Sequence, residues 1–276
     1  MTKLINNKLI EQFNNDGYIL LKDVLSKKQK KNIKNLFSIV LTKVEELQDC
    51  KIKNKQNCIN KNLQDTNLSK HLLKIRNSDP ELFSIVYDSL QMSNSLKKVV
   101  LDDELENIAS TFLEIDKNYL ASYNFMFRMD PPNDERNLYG WHQDSSYNFS
   151  NLKGSNAIVA WIPLHEINDN NGALLIKEKS HNEGVFDFNI TNKPNKSSQR
   201  LVDEKIVNKY REITFNYNYG DVLLFNNNLI HSSGLNHSSN LRYTIISRYH
   251  NLAASDFIPG KIMMKYNQNA IKYSKK

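Results

Sequence analysis

Cysteine is scarce, long apolar runs are absent, and no stretch alternates aromatic with basic residues; each lack removes a class of protein. Cys50 and Cys58 are the only cysteines and lie in a polar Lys/Asn-rich segment, so no disulfide scaffold is available and both are read as free thiols. No apolar stretch approaches the roughly 20 residues of a membrane-spanning helix. The opening Met1-Thr2-Lys3-Leu4-Ile5-Asn6-Asn7 lacks the apolar region of a signal peptide, so a cytoplasmic location is expected. Internal repeats are also missing.

What is present is a 276-residue chain, 39% hydrophobic, long enough for one large domain with an adequate core. The net charge of +7 and pI near 9.1 suit an anionic small substrate or an acidic carrier. The lysines, however, are spread among many asparagines rather than gathered into a base-stacking surface, which argues against nucleic acid as a partner. Nothing in the sequence fixes the oligomeric state.

Apolar spacing divides the chain in two. Lys8 to Asn15 reads as a short helix, Asp16-Gly17 as a turn, and Tyr18 to Leu21 as a strand. Ser26 caps a second helix with apolar residues at helical spacing through Val44. Residues 50–69 turn polar and aperiodic, a loop. Asp79-Pro80 then starts further helices reaching to about Leu113. From Ser122 to Met129 the pattern alternates, with Asn124, Met126 and Arg128 on one face. Pro131-Pro132 ends it. Short strands follow at Ala157 to Leu164, Ala173 to Ile176, Val222 to Phe225 and Leu241 to Tyr249, separated by turns such as Asn171-Gly172 and Gly220-Asp221. Helices first and short strands after predict an α+β fold whose second half is a β-sandwich or barrel. Asp187 to Lys209 is a long polar insertion, expected to cover the mouth of a site.

The chemistry gathers around Gly140-Trp141-His142-Gln143-Asp144. In an extended chain residues two apart share a face, so His142 and Asp144 can hold one cation. Alone the pair is weak: with 7 histidines and 30 acidic residues, about one His-x-acid pair arises by chance, and His181-Asn182-Glu183 is such a decoy, read as a surface pair. Further on, His231-Ser232-Ser233-Gly234 is followed by Arg242. A turn between them sets His231 and Arg242 on neighbouring antiparallel strands. His231 would complete a 2-His-1-carboxylate site, which leaves open positions on a ferrous ion. Arg242 offers a bidentate fork to a carboxylate, with Ser233 beside it; a chelating keto acid with a distal carboxylate, 2-oxoglutarate, fits both ends.

These motifs resemble the phytanoyl-CoA dioxygenase family of iron(II)/2-oxoglutarate oxygenases. The similarity extends to Phe13-x-x-Asp16-Gly17-Tyr18, Trp161, Asn171-Gly172, Gly220-Asp221 and Asn236. It implies a single oxygenase domain over residues 1–276: a mainly helical part to 115, a double-stranded β-helix (jelly-roll, cupin-like) core over 116–250, and a tail over 251–276. It implies Fe(II), 2-oxoglutarate and O₂, with His142, Asp144 and His231 as metal ligands and Arg242 and Ser233 on the cosubstrate carboxylate. Trp161, Gln143, Asn124 and Met126 become cavity residues, and Lys74 or Arg76 a further basic contact. Asp144 stands where halogenating relatives carry a small residue, which favours hydroxylation or a related oxidation. Lys177-Glu178-Lys179-Ser180-His181 departs from the family's usual Pro-Gly-Ser-His after the Asn-Gly turn, a sign of a different substrate. Trp161 and Tyr147 read equally well as core aromatics, and Arg128 and Arg248 either meet an anionic substrate or form salt bridges at the barrel rim. His71, His165, His237 and His250 are read as structural or surface residues. Two rival functions share the motif: a zinc hydrolase, which leaves Arg242 without a task, and a non-catalytic binding relative.

Overall fold

The computed structural model describes residues 5–48, 66–135, 138–147, 156–192 and 198–257. Cys50 and Cys58 lie outside them, as do most of the expected loop at 50–69 and most of the tail.

Helix α1 (Asn7–Asp16) ends at Gly17, whose left-handed φ of 84° lets its amide close onto Phe13 O. A side chain there would also run into the His181 ring, so the Asp-Gly turn is both a helix stop and a close approach. Strand β1 (Tyr18–Leu21) follows. Ser26 and Gln29 then exchange bonds, each side chain accepting from the other's amide at 3.1 and 2.8 Å. That reciprocal box starts α2 (Lys27–Gln48) where the sequence placed it. The polar segment expected to loop through residue 69 gives way earlier: α3 spans Thr66–Ser78 because Leu68, Leu72 and Ile75 form a buried stripe. Asp79 caps α4 (Pro80–Gln91) through Leu82 N at 2.9 Å. Helices α5 (Asn94–Val100) and α6 (Asp103–Phe112) complete the helical part.

Strands β2 (Leu120–Asp130), β3 (Ala157–Pro163), β8 (Val222–Asn226) and β10 (Arg242–Asn251) join β1 in an antiparallel sheet of order β1-β8-β3-β10-β2. A smaller sheet has order β7-β4-β9, from Glu212–Ile213, Leu175–Lys177 and His231–Ser232. The sheet positions sort by pleat. Ile158, Ala160, Ile162, Leu224, Tyr243 and Ile245 pack with Leu36, Phe37, Val40 and Phe83 of the helices in one core. Val159, Trp161, Leu223, Phe225 and Ile246 pack with Leu174, Ile176 and Tyr217 in a second core between the sheets. Each buried Val, Leu, Ile or Phe among them stabilises by about 1.5–3 kcal/mol. Helices cover one face of the larger sheet and the smaller sheet covers the other, giving a mixed helix-and-sheet fold. Among the described residues, no helix is long and apolar enough to cross a membrane.

The insertion at 187–209 is not aperiodic. It forms a hairpin of β5 (Phe188–Thr191) and β6 (Gln199–Val202), then a short helix α7 (Glu204–Val207). The hairpin braces the segment carrying His142: Val202 N donates to Trp141 O at 3.0 Å, Gly140 N to Gln199 Oε1 at 3.0 Å, and Arg200 N to Tyr147 Oη at 2.6 Å. The alternation Phe188-x-Ile190 was too short to stand out as a strand.

Candidate active site

His142 and His231 are cross-strand partners in an isolated antiparallel bridge, their backbones exchanging bonds of 3.0 and 2.9 Å. Residues opposite one another share a face, so the two rings lie 4.2 Å apart between centroids. Each Nδ1 points at a backbone carbonyl two residues back, Gly140 O at 2.7 Å and Leu229 O at 2.9 Å. A ring whose Nδ1–H is so engaged presents the lone pair of Nε2. Asp144 comes onto the same side two residues after His142; its Oδ1 lies 3.8 Å from His142 Nε2 and 3.9 Å from His231 Nε2. One ligand atom from each of the three falls within 4.8 Å of the others. Burial pushes the His142 imidazole down to about 3, and the neighbouring His231 adds to this. Burial lowers His231 as well, so both imidazoles stay neutral. Burial alone would raise the Asp144 carboxyl, but the surrounding interactions, led by the Arg248 guanidinium, together outweigh it and hold the group ionised. Two neutral imidazoles and one carboxylate with converging lone pairs fit a single divalent cation.

The triad opens into a cavity of about 290 Å³, near the lower limit of small-molecule sites. Asn124, Met126, Tyr147, Trp161, Ser233, Arg242 and both other arginines named from the strand pattern, Arg128 and Arg248, line it. So do Tyr87, Tyr139, Val159, Leu174, Phe225 and Ile246, which the sequence did not single out. Tyr87 stands beside the buried stripe of α4, Leu82, Phe83, Val86 and Leu90. Nothing in that spacing tells a cavity wall from a core edge. Trp161 serves both uses proposed for it, facing the cavity while its ring packs 4.7 Å from Tyr217.

Two sequence-predicted cavity residues sit elsewhere. Gln143 is buried, but strand alternation turns it away from its neighbours. Its amide donates to Gly184 O at 2.8 Å and Asn228 O at 2.6 Å and accepts from Phe186 N at 2.8 Å, tying three loops together. Lys74 is exposed on α3, because burying Leu72 and Ile75 rotates it outward; neighbouring Arg76 pairs with Asp134. Among the remaining histidines, His165 is held between Glu166 O at 2.8 Å and Tyr243 N at 3.0 Å, a structural role. His181 bonds Asn14 O at 3.0 Å.

Arg242 is buried at the cavity wall, but its fork is already used. Nε and Nη2 donate to Asp130 Oδ2 at 3.2 and 2.8 Å, and Nη1 donates to Gly172 O and to Gly234 O. Those four bonds leave one Nη2 hydrogen. Asp130 lies directly opposite Arg242 in the β2–β10 register, and its Oδ1 accepts from Arg128 at 2.7 and 3.2 Å. A carboxylate between two guanidiniums is the feature the sequence reading lacked. Its signal was Arg128-x-Asp130, one face of one strand. The glycines of the Asn171-Gly172 and Ser233-Gly234 motifs now have a physical reason. A Cβ on Gly172, where φ is 90°, would lie 2.6 Å from Arg242 Nη1.

The family model described as phytanoyl-CoA dioxygenase (PhyH) matches residues 13–244. No curated protein sequence matches. Among solved structures, AviO1 from Streptomyces viridochromogenes Tue57 is 17% identical, with 92% of this chain and 99% of that one covered and a TM-score of 0.56. The non-heme alpha ketoglutarate dependent carbocyclase SnoK from nogalamycin biosynthesis is 15% identical, covering 99% and 92%, at 0.58. EvdO2 from Micromonospora carbonacea var. aurantiaca, complexed with 2-oxoglutarate, is 15% identical, covering 93% and 96%, at 0.55. At such identities the likeness is one of fold.

Proposed function

The chain belongs to the phytanoyl-CoA dioxygenase family of iron(II)/2-oxoglutarate-dependent dioxygenases, and from that premise we propose that it oxidises a C–H bond of a small anionic metabolite, by hydroxylation or a related outcome. The observation that carries the reading is the convergence of His142, Asp144 and His231 in a cavity whose walls include Ser233 and Arg242. We read the two facing sheets as the double-stranded β-helix of one oxygenase domain, with the residues up to about 115 as its helical flank.

His142 Nε2, His231 Nε2 and Asp144 would hold the iron. When bound, iron and 2-oxoglutarate supply the oxidising power with O₂, the keto acid leaving as succinate and CO₂ while one oxygen goes to the substrate. The chain's own share is placement and exclusion of water. Ser233 and the remaining Nη2 hydrogen of Arg242 receive the distal carboxylate, beside Trp161 and Met126. Val159, Leu174, Phe225 and Ile246 supply an apolar wall that keeps water from the reacting centre.

Charge supports the anionic substrate. Three guanidiniums, of Arg128, Arg242 and Arg248, meet two carboxylates, of Asp130 and Asp144, leaving one positive charge in excess. A ferrous ion and a doubly charged keto acid cancel each other, so the excess persists for the substrate. Asn124 and Tyr139, at the cavity wall with Arg128, add polar groups for it.

The test is an anaerobic titration of protein loaded with Fe(II) and 2-oxoglutarate against a panel of anionic and neutral metabolites. The metal-to-ligand absorption band is followed first, and succinate release once O₂ is admitted. Asp144→Ala should abolish substrate-dependent succinate release; full activity in that variant would defeat the assignment. A panel in which only neutral compounds perturb the band would defeat the anionic reading alone.

A further inference from the structure

Arg248 reaches Asp144 from β10 side-on. Its Nε donates to Oδ2 at 2.8 Å and its Nη2 to Oδ1 at 3.1 Å, two parallel bonds that occupy the lone pairs lying between the carboxylate oxygens. A metal chelated by both oxygens of a carboxylate sits in that same region. The oxygen nearer the histidines is Oδ1, and its other lone pair is the one left for an ion between the two Nε2 atoms. Resting on the iron-site reading above, we infer that Arg248 is a positioning residue that closes the chelating side of Asp144, limiting it to a single metal-bound oxygen.

The consequence is coordinative. Two imidazole nitrogens and one carboxylate oxygen make three protein ligands; an Asp144 that chelated would leave two positions of a six-coordinate ion in place of three, and its second oxygen would compete with a bidentate keto acid for room on the metal. The device is built into the sheet. The β2–β10 register shifts between Ile246 and Arg248, and in that bulge Asn124 adopts a φ of 58°. Its carbonyl accepts from Arg248 Nη1 at 2.7 Å. Bulges re-aim side chains beside active sites, and asparagine tolerates the left-handed region better than most residues. Arg248 is thus fixed at all three nitrogens. With Asp144 and Arg248 both buried, water is poorly placed to substitute for the guanidinium.

The inference separates two affinities that a merely structural residue would lower together. Co(II) serves as the metal probe and 2-oxoglutarate as the second ligand, with purified wild type, Arg248→Gln and Arg248→Lys compared under anaerobic conditions. In R248Q, Co(II) affinity should hold or rise as Asp144 becomes free to chelate, whereas 2-oxoglutarate affinity for the Co(II) protein should fall about ten-fold or more. R248K, which keeps one donor on Oδ2, should recover 2-oxoglutarate affinity to within about three-fold of wild type. Unchanged 2-oxoglutarate affinity in R248Q, or a parallel loss of both affinities, overturns the inference. Independent of any variant, the metal-minus-apo infrared difference spectrum of the wild-type Co(II) protein should show the wide carboxylate splitting of monodentate binding; the narrow splitting of a chelate overturns it too. A wild type that binds Co(II) but does not respond to 2-oxoglutarate sinks the cosubstrate reading, and the infrared spectrum still decides the role of Arg248.

Discussion

Asp130→Asn should make the protein less stable and its grip on 2-oxoglutarate tighter, two effects of opposite sign from one carboxylate. Asp130 is buried between Arg128 and Arg242, each pairing with one of its oxygens at 2.7 and 2.8 Å. Burial alone would raise its pKa, but the two guanidiniums outweigh burial and hold it below the ordinary carboxylate value. Removing one partner from a buried ion pair costs about 3–5 kcal/mol, because the remaining charge is left in a poorly solvated site. Asparagine keeps one acceptor, so the lower figure applies. For a chain of this size about 3 kcal/mol corresponds to a fall in Tm of roughly 6–10 °C. In the same variant Arg242 regains the Nε and Nη2 hydrogens now spent on Asp130 Oδ2. One of them turned onto the cosubstrate carboxylate is worth about 1.5 kcal/mol, so the Kd for 2-oxoglutarate should fall by about ten-fold.

Thermal unfolding of the apo protein measures the first effect, and anaerobic titration of the Fe(II) protein with 2-oxoglutarate the second. A double variant sharpens the comparison. In D130N the cavity's excess charge rises from one to two; in R128Q/D130N it returns to one, and much of the lost stability should return with it. A D130N protein with wild-type Tm, or one that binds 2-oxoglutarate more weakly, would refute the account of Arg242 as a guanidinium shared between an internal carboxylate and an external one.

Three further outcomes follow from the geometry. Gly172→Ala puts a Cβ 2.6 Å from Arg242 Nη1 at a φ of 90°; it should destabilise by more than about 1 kcal/mol and weaken 2-oxoglutarate binding while Co(II) titration still reports an intact triad. His165, buried and bonded at both nitrogens, is pushed down to about 4 by burial. Its folded pKa lies below the unfolded value near 6.5, so the unfolded chain takes up the proton first. Stability from this group is complete above about pH 6.5 and declines toward pH 4, by roughly 2 kcal/mol at pH 5. Urea midpoints at pH 7 and pH 5 for wild type and His165→Gln check it, the variant losing less on acidification. Gln143→Ala should lower stability by about 1–3 kcal/mol through the carbonyls and amide it leaves unpaired, with Co(II) affinity retained; a selective loss of metal binding would return Gln143 to the cavity.

What the sequence could reveal depended on which contacts are set by a period. His142 and Asp144 share a face because strands alternate, and the cap at Asp79 and the box at Ser26 and Gln29 are local. All were legible. The exposure of Lys74 was legible too, since Leu68, Leu72 and Ile75 fix the phase of α3, but the expectation for Lys74 came from resemblance and not from that phase. The Asp130–Arg242 and Asp144–Arg248 pairs were not legible: their members lie 112 and 104 residues apart, and a strand pattern gives the face of a side chain without giving its partner. Tyr87 is hidden for a related reason, because a helix stripe records burial and not what does the burying.

Both buried carboxylates are held by one strand, which makes the spacing along β10 a constraint on the site. Arg242 and Arg248 are six residues apart on a single face, roughly 20 Å along the strand, with Ile246 between them on the cavity wall. One arginine clasps Asp130 at the end expected to take the cosubstrate's distal carboxylate; the other clasps the metal-facing Asp144. Substituting an intervening residue alters packing, but a shift of one residue on either side of the bulge at Asn124 sends Arg248 to the opposite face while leaving Arg242 in place. The chelating side of Asp144 would then lie open with its counter-charge gone, although all three metal ligands were untouched. The spacing between the two arginines, more than the identity of the residues between them, is therefore what couples the metal end of the cavity to its far end.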